Sequence, residues 1–327
     1  MSAVQKAENK KGTGKLSARE FMDKPVVRNI LPVIGLILIV IIFAVLTDGQ
    51  IIEFSNLKLL LSQTYVLMIA SCGVFLIMSM GCLDFSQGSM LGISSIVICA
   101  LSNYNLPLAI IGGMAAGAAI GAVNGFFHVK CKIPSFIVTI CTMFLFRGLC
   151  AYFTTGSPVY ADAGIADYNT VPVKLTLTIV VLLIVFLLFH FTKLGCNLKA
   201  IGAGEQASRF AGIKVQKTKW VIYIVAGIIT GFAAFINVVK VGSVTSTGGN
   251  MLETEILIAL VLGGMPISGG AKVRFTNVIV GVLTYKFLST GLNMIGLATE
   301  MQQLIEGIIF LIVVALFSDR KSIQVIK

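Results

Sequence analysis

Ionisable side chains are so scarce in the apolar stretches of this sequence that each one there raises a question of chemistry. Arg147, Lys286 and Glu306 sit in such stretches, where a charge is costly unless it faces protein or water. Counting about 1.5 Å per helical residue puts Arg147 at mid-depth or slightly beyond. Lys286 reaches similar depth, and Glu306 lies in the outer part of the last stretch. Either Glu306 neutralises Lys286 or Arg147, or each charge snorkels separately. Asn124 and Asn293 are amides in the same surroundings, suited to bonding a polar solute or to tying helices together. Thr139 is counted with them as a pathway or intramembrane polar group. None of this is bond-making chemistry. His128 and His190 lie far apart, and no nucleophile–base pair stands out, so no catalytic residue is assigned. The seven cysteines lack metal-ligand spacing and read as small buried hydrophobes, so no metal site is assigned either. The stretch Gly12-Thr13-Gly14-Lys15-Leu16-Ser17 looks like part of a phosphate loop. Asn9 stands where the earlier glycine is needed and no strand precedes it, so the chain carries no ATP site of its own.

The elements that position these groups follow from composition. Of 327 residues, 57% are hydrophobic and 12% charged, and mean hydropathy is +0.96. A soluble chain carries about 25% charged residues, so ordinary soluble domains, disorder and disulfide scaffolds are excluded. The fold class is all-α and polytopic. A spanning helix needs about 20 mostly apolar residues. Segments 29–47, 59–83, 175–192 and 220–239 contain no Asp, Glu, Lys or Arg. The charge-free run 85–129 holds two spans, divided near Ser102–Pro107. Stretches near 135–154, 254–270, 275–292 and 303–318 complete about ten spans. The third, about 86–101, is short, and the glycine-rich ending of the eighth suits a re-entrant segment.

With the N-terminus in the cytoplasm, 20 of the 25 lysines and arginines fall on cytoplasmic segments. That bias fixes the orientation and puts both termini inside. Glu253 and Glu255 then fall in an outer loop. The net charge of +11 reflects topology and anionic lipid, not nucleic acid. A basic tail (1–28), a transmembrane domain (29–318) with a cytoplasmic loop (193–219), and a C-terminal tail (319–327) make up the chain. The tail lacks a cleavage pattern and does not read as a removed signal peptide.

Gly113, Gly117, Gly121 and Gly125 recur every fourth residue, on nearly one helix face. Small residues let helices approach closely in lipid, so this helix belongs inside the bundle. Asp84, just before Ser86, suits an N-terminal cap. Trp220 suits the cytoplasmic interface. Residues 205–211 suit a short helix, with Glu205 early and Gly212 ending it. Ala207, Phe210 and Ala211 share one face. Such a helix has no core of its own and wants a groove on another protein.

From these residues the chain resembles the sugar-type permease subunits of bacterial ABC importers, the ribose, xylose and galactose group. Glu205, Ala207 and Gly212-Ile213 match the family's segment that sits on the ATPase. Leu83-Asp84-Phe85-Ser86-Gln87-Gly88-Ser89 resembles its "IDLSVGS" segment. Asn124-Gly125, Ile133 to Thr139 and Arg147-Gly148 match the central block. Gly263-Gly264, Ser268-Gly269-Gly270 and Gly291-Leu292-Asn293 match the C-terminal block. Departures are Cys82 for a usual Gly, Ser289-Thr290 for paired Asn, Glu306 for a frequent Lys, and Ala271 and Thr276 for Gly.

The resemblance implies a permease in the bacterial cell membrane that forms the path but hydrolyses nothing. It implies a second permease copy, an ATPase with two nucleotide-binding domains that holds ATP and Mg²⁺, and an extracytoplasmic sugar-binding protein. Glu205, Ala207, Arg209, Phe210 and Gly212 would contact that ATPase. Alternating access about inverted repeats, spans two to five against seven to ten, would suit the architecture. The same architecture serves nucleoside, furanose and branched-chain amino-acid import. A stand-alone secondary transporter would instead need a repeated set of intramembrane acids.

Overall fold

The computed structural model describes residues 25–317. The first 24 residues, with the loop-like 12–17, and the closing segment 319–327 lie outside the described residues. Ten helices correspond to the ten expected spans. They are α1 (Pro25–Leu46), α2 (Phe54–Ser79), α3 (Gln87–Ser102), α4 (Leu106–Lys130), α5 (Ser135–Thr154), α6 (Val171–Phe191), α9 (Val215–Val241), α10 (Leu252–Leu262), α11 (Thr276–Met294) and α12 (Thr299–Phe317). Between α6 and α9 lie two short helices, α7 (Lys193–Ala203) and α8 (Glu205–Phe210). A two-stranded antiparallel ribbon, β1 (Val159–Tyr160) with β2 (Ser243–Val244), clips two loops together at the end opposite α8.

Among the described residues five helices, α2, α4, α5, α6 and α9, are long and apolar enough to cross a membrane. The most apolar 18-residue stretch of α2 is 78% buried and that of α9 67%, against 17% for α6. The first two are therefore the centre and α6 is rim. Rim helices turn large apolar side chains outward, such as Ile37 and Ile41 on α1, Leu183 on α6 and Leu311 on α12. An apolar belt of that extent needs lipid as its solvent, and helices satisfy their own backbone groups there. The chain is a multi-pass membrane protein.

Glycine brings α4 and α9 into backbone contact. A Cβ on Gly117 would overlap the Gly227 carbonyl, and one on Gly227 would overlap the Gly117 carbonyl. A Cβ on Gly231 would overlap the Gly113 carbonyl, Gly121 lies on the Tyr223 carbonyl, and Gly125 lies under Trp220. The glycine face of α4 is thus spent on α9, which runs antiparallel to it. Aromatic rings close the α8 end of the bundle: Phe75 lies 4.7 Å from Phe189 and 5.8 Å from Phe275, edge to face.

The expected eighth span, 254–270, differs. Helix α10 has only 11 residues and stops at Leu262. Gly264, Gly269 and Gly270 then take positive φ, and this irregular turn packs on the ends of α2 and α7. Gly270 N–H donates to the Ser79 carbonyl at 3.1 Å, and Gly202 of α7 is pressed against both. With α3 also short, at 16 residues, the order long helix, break, short helix, two helices occurs twice, as α2–α5 and α9–α12. The two short helices meet at their N-termini, where Gly88 touches Gly249 and Glu253, and they run apart toward opposite ends. This is the relation that inverted repeats produce. Four cysteines are buried, but Cys131, Cys141 and Cys196 are exposed, which corrects the reading of the set as buried hydrophobes. Cys131 follows the end of α4, Cys141 lies on the outward face of α5 and Cys196 on α7, so position along an apolar run did not decide their burial.

Candidate functional site

Two regions gather the residues that could act in transport. The first is the meeting point of α3 and α10. The break after α2 is held by Asp84, which is 1% exposed and accepts from Ser86 N–H at 2.8 Å, Ser86 Oγ at 2.6 Å and Gln87 Nε2 at 2.7 Å. It ties down the first turn of α3, as an N-terminal cap does. Gln87 in turn accepts from Thr230 Oγ1 in the middle of α9. Asn124 is fully buried; its amide donates to Ser86 Oγ at 2.8 Å and accepts from Thr142 Oγ1 at 2.7 Å. Of its two possible uses, the structure displays helix tying, joining α3, α4 and α5. Asn124→Ala should therefore cost about 1–3 kcal/mol, read as a lowered melting temperature of the purified chain in detergent.

The charges pair differently from expectation. Arg147 donates to Glu253 Oε1 at 2.9 Å, and Lys286 donates to Glu255 Oε2 at 3.1 Å. Glu306 pairs with neither; it accepts from Tyr285 Oη at 3.3 Å. The reason is the short α10. Its first turn enters the bundle instead of ending in a loop, and carries Glu253 and Glu255 inward. An acid in a first turn suits the positive end of the helix dipole. That was the available signal: two acids just after Gly248-Gly249 and before an apolar run.

The remaining polar candidates scatter. Thr139 is buried and spends its hydroxyl on the Ser135 carbonyl of its own helix at 3.0 Å. Asn293 is exposed and lines a cleft of about 230 Å³ with Asn56, Gln63, Ser289 and Thr290, at the end opposite α8. Glu306 lines another cleft, of about 260 Å³, with Leu83, Phe85, Leu257, Gln303 and Phe310.

The second region is the α7–α8 connection. Thr192 caps α7 by accepting from Leu194 N–H at 3.2 Å. Helix α8 follows at Gly204, and Gly212 (φ +83°) turns the chain into α9, a conformation that favours glycine. Glu205 accepts from Arg209 at 2.6 Å and from Lys219 of α9 at 2.7 Å. Burial pushes the Glu205 carboxyl up, but the hydrogen bonds and charges of Lys219 and Arg209 outweigh it and hold it below the ordinary carboxylate range. The depressed value means this anchorage is complete above the ordinary range and lost as pH falls through the lowered one. Ser208 faces inward, while Ala207, Arg209, Phe210, Ala211 and Gly212 are exposed. Phe210 is 93% exposed. The pinned helix thus carries a bare phenyl ring on the surface of the chain.

A family model described as "Branched-chain amino acid transport system / permease component" matches residues 56–314. The chain belongs to this family. Its match begins in α2 and ends in α12, so it takes in both breaks, the two short helices and the α7–α8 connection. Among curated relatives, the "Ribose import permease protein RbsC" of Escherichia coli (strain K12) is 31% identical over 314 residues, covering 92% of this chain and 97% of the relative. The protein of the same name from Bacillus subtilis (strain 168) is 33% identical over 301 residues, 89% and 92% of the two chains. The "D-allose transport system permease protein AlsC" of Escherichia coli (strain K12) is 27% identical over 290 residues, 86% and 89%. No solved structure matches the chain. Residues that motif reasoning passed over in this permease are Glu253, Thr142, Thr230, Lys219 and His128; only the fold brings them beside the ones it singled out.

Proposed function

We propose that the chain is the membrane-spanning permease subunit of an ATP-driven importer that carries a ribose-like monosaccharide into the cell by alternating access. The observation that carries this reading is α8. A permease-family bundle holds one short helix rigidly outside itself, with its apolar residue bare. That is the geometry needed to receive force from a separate motor. Relatives named for ribose, D-allose and L-arabinose transport favour a sugar over a nucleoside, furanose or branched-chain amino acid. ATP and Mg²⁺ belong to a partner ATPase with two nucleotide-binding domains, docked on Glu205, Ala207, Arg209, Phe210 and Gly212. A second permease copy and an extracytoplasmic binding protein complete the assembly in the bacterial cell membrane.

The α8 end is cytoplasmic in this reading, as are both termini, and the functional domain spans 29–318 with the coupling loop 193–219. ATP binding draws the two docked α8 helices together and switches the bundles between two rigid arrangements. A secondary transporter is disfavoured because Glu253 and Glu255 are already paired with Arg147 and Lys286, leaving Glu306 without a partner set of acids. Phe210→Asp should abolish co-purification of the ATPase and cut ATP-dependent uptake of labelled ribose into proteoliposomes at least 100-fold. Membrane insertion should be unchanged. Wild-type uptake by the permease without any ATPase would overturn the reading.

A further inference from the structure

Beneath the break that starts α3, six separate segments converge on one partly buried polar cluster. Lys219, on the second turn of α9, is 8% exposed. Its ammonium donates to Glu205 Oε2 of α8 at 2.7 Å and faces His128 Nε2, near the end of α4, at 3.5 Å. The other ring nitrogen, Nδ1, lies 2.8 Å from the Ile133 carbonyl in the α4–α5 loop. Cys82 Sγ of the break lies 3.6 Å from Nε2. Next to it, Leu83 N–H donates to Ser135 Oγ at the start of α5, at 3.2 Å. The neighbours set the tautomer. An ammonium and a thiol both bring protons to Nε2, so Nε2 accepts, and Nδ1–H donates to the carbonyl.

We propose that Lys219 and His128 are positioning residues that link movement of α8 to the Cys82–Leu83 break from which the half-helix α3 starts. The inference rests on reading α8 as the ATPase contact. A docking helix could be anchored by Arg209 and Lys219 from its own side alone. What goes further is His128, whose hydrogen-bond partners lie outside α8 and which joins the lysine to the break and to the α4–α5 loop. Lys219 is also too deep to serve as a surface ion pair, since a buried ammonium persists only where its donors are met. A shift of Glu205 therefore has to be followed by Lys219, by the imidazole, and by the backbone around Cys82, or a buried charge loses its partner. The groups at the far end of this chain, Asp84 and Ser86, hold the first turn of α3. The link thus reaches the meeting point of the two half-helices without a covalent hinge.

The test uses the full assembly of permease, ATPase and binding protein in proteoliposomes, with wild type, Lys219→Met, Lys219→Arg and His128→Ala. His128 is only part-buried, so His128→Ala severs the link without stranding a charge and keeps the test open if Lys219→Met fails to fold. The expected result is that His128→Ala keeps its ATPase attached but loses at least tenfold in both uptake and the stimulation of ATP hydrolysis by loaded binding protein. Lys219→Met behaves likewise, and Lys219→Arg recovers most of the loss. Wild-type stimulation in His128→Ala overturns the proposal, and so does loss of the ATPase from that variant, which would make the cluster a docking support only. If wild type itself shows no stimulation, the importer reading fails instead, and the two failures stay distinguishable.

Discussion

Gly117→Leu and Gly227→Leu should each leave no folded permease in the membrane. The two glycines face each other across the α4–α9 contact, each pressed against the carbonyl of the other. Hydrophobic burial does not drive helices together in lipid; close van der Waals packing does. Backbone approach also places Cα–H groups against carbonyl oxygens, worth about 0.5–1 kcal/mol each. A leucine there pushes α4 away from the central helix α9 along their length. Overpacking of a single core site already costs about 1–3 kcal/mol, and native stability totals only about 5–15 kcal/mol. Even Gly117→Ala introduces a Cβ that overlaps backbone, which cannot swing aside, and should cost about 1–3 kcal/mol. Gly35→Ala on α1 is the control, because nothing lies within 4 Å of its Cβ position; it should be neutral or gain up to about 1 kcal/mol from helix propensity. Accumulation in membranes and melting in detergent separate the three outcomes. Normal melting of Gly117→Leu would mean that α4 and α9 do not touch as described.

The second large effect is at Glu253. Its side chain is 6% exposed and holds Arg147, which keeps 30%. Its Oε2 has no hydrogen-bond partner and lies against Gly88, in the first turn of α3. The carboxylate therefore sits between the positive ends of two half-helices and beside a guanidinium. Glu253→Gln removes the charge that all three favour. Breaking a buried pair costs about 3–5 kcal/mol, and the partial exposure of Arg147 puts the expected loss at the low end. Arg147→Met combined with Glu253→Met should recover most of the stability, because it strands no charge. Thermal melting of the single and double variants in detergent provides the cycle. A single variant as stable as wild type would show that the pair contributes nothing to holding α3 and α10 together.

How far these features could be read beforehand differs from residue to residue. The glycine face of α4 was visible as a four-residue spacing, and the short helix α8 as an acid, an apolar face and a terminal glycine. The existence of the break before α3 could be inferred from Asp84 and Ser86. The partners of Arg147 and Lys286 could not, because reading 254–270 as one span placed Glu253 and Glu255 outside. A charged residue near the end of an apolar run looks the same whether the chain leaves the membrane or folds back into it. Lys219 counted only as one more cytoplasmic lysine, and His128 as an isolated imidazole.

Composition and periodicity along the chain determined that this is an all-helical membrane bundle, where its long helices lie, and which short helix stands outside them. Those properties are local: transfer of an apolar run into lipid and closure of backbone hydrogen bonds within one segment depend on residues close in sequence. Tertiary structure alone decided that α10 is half a helix, that its N-terminus faces that of α3, and that Glu205, Lys219, His128 and Cys82 form one line. Charge pairing and polar contact act over a few ångströms in space. Residues separated by 106 positions, as Arg147 and Glu253 are, become neighbours only when the whole chain has folded.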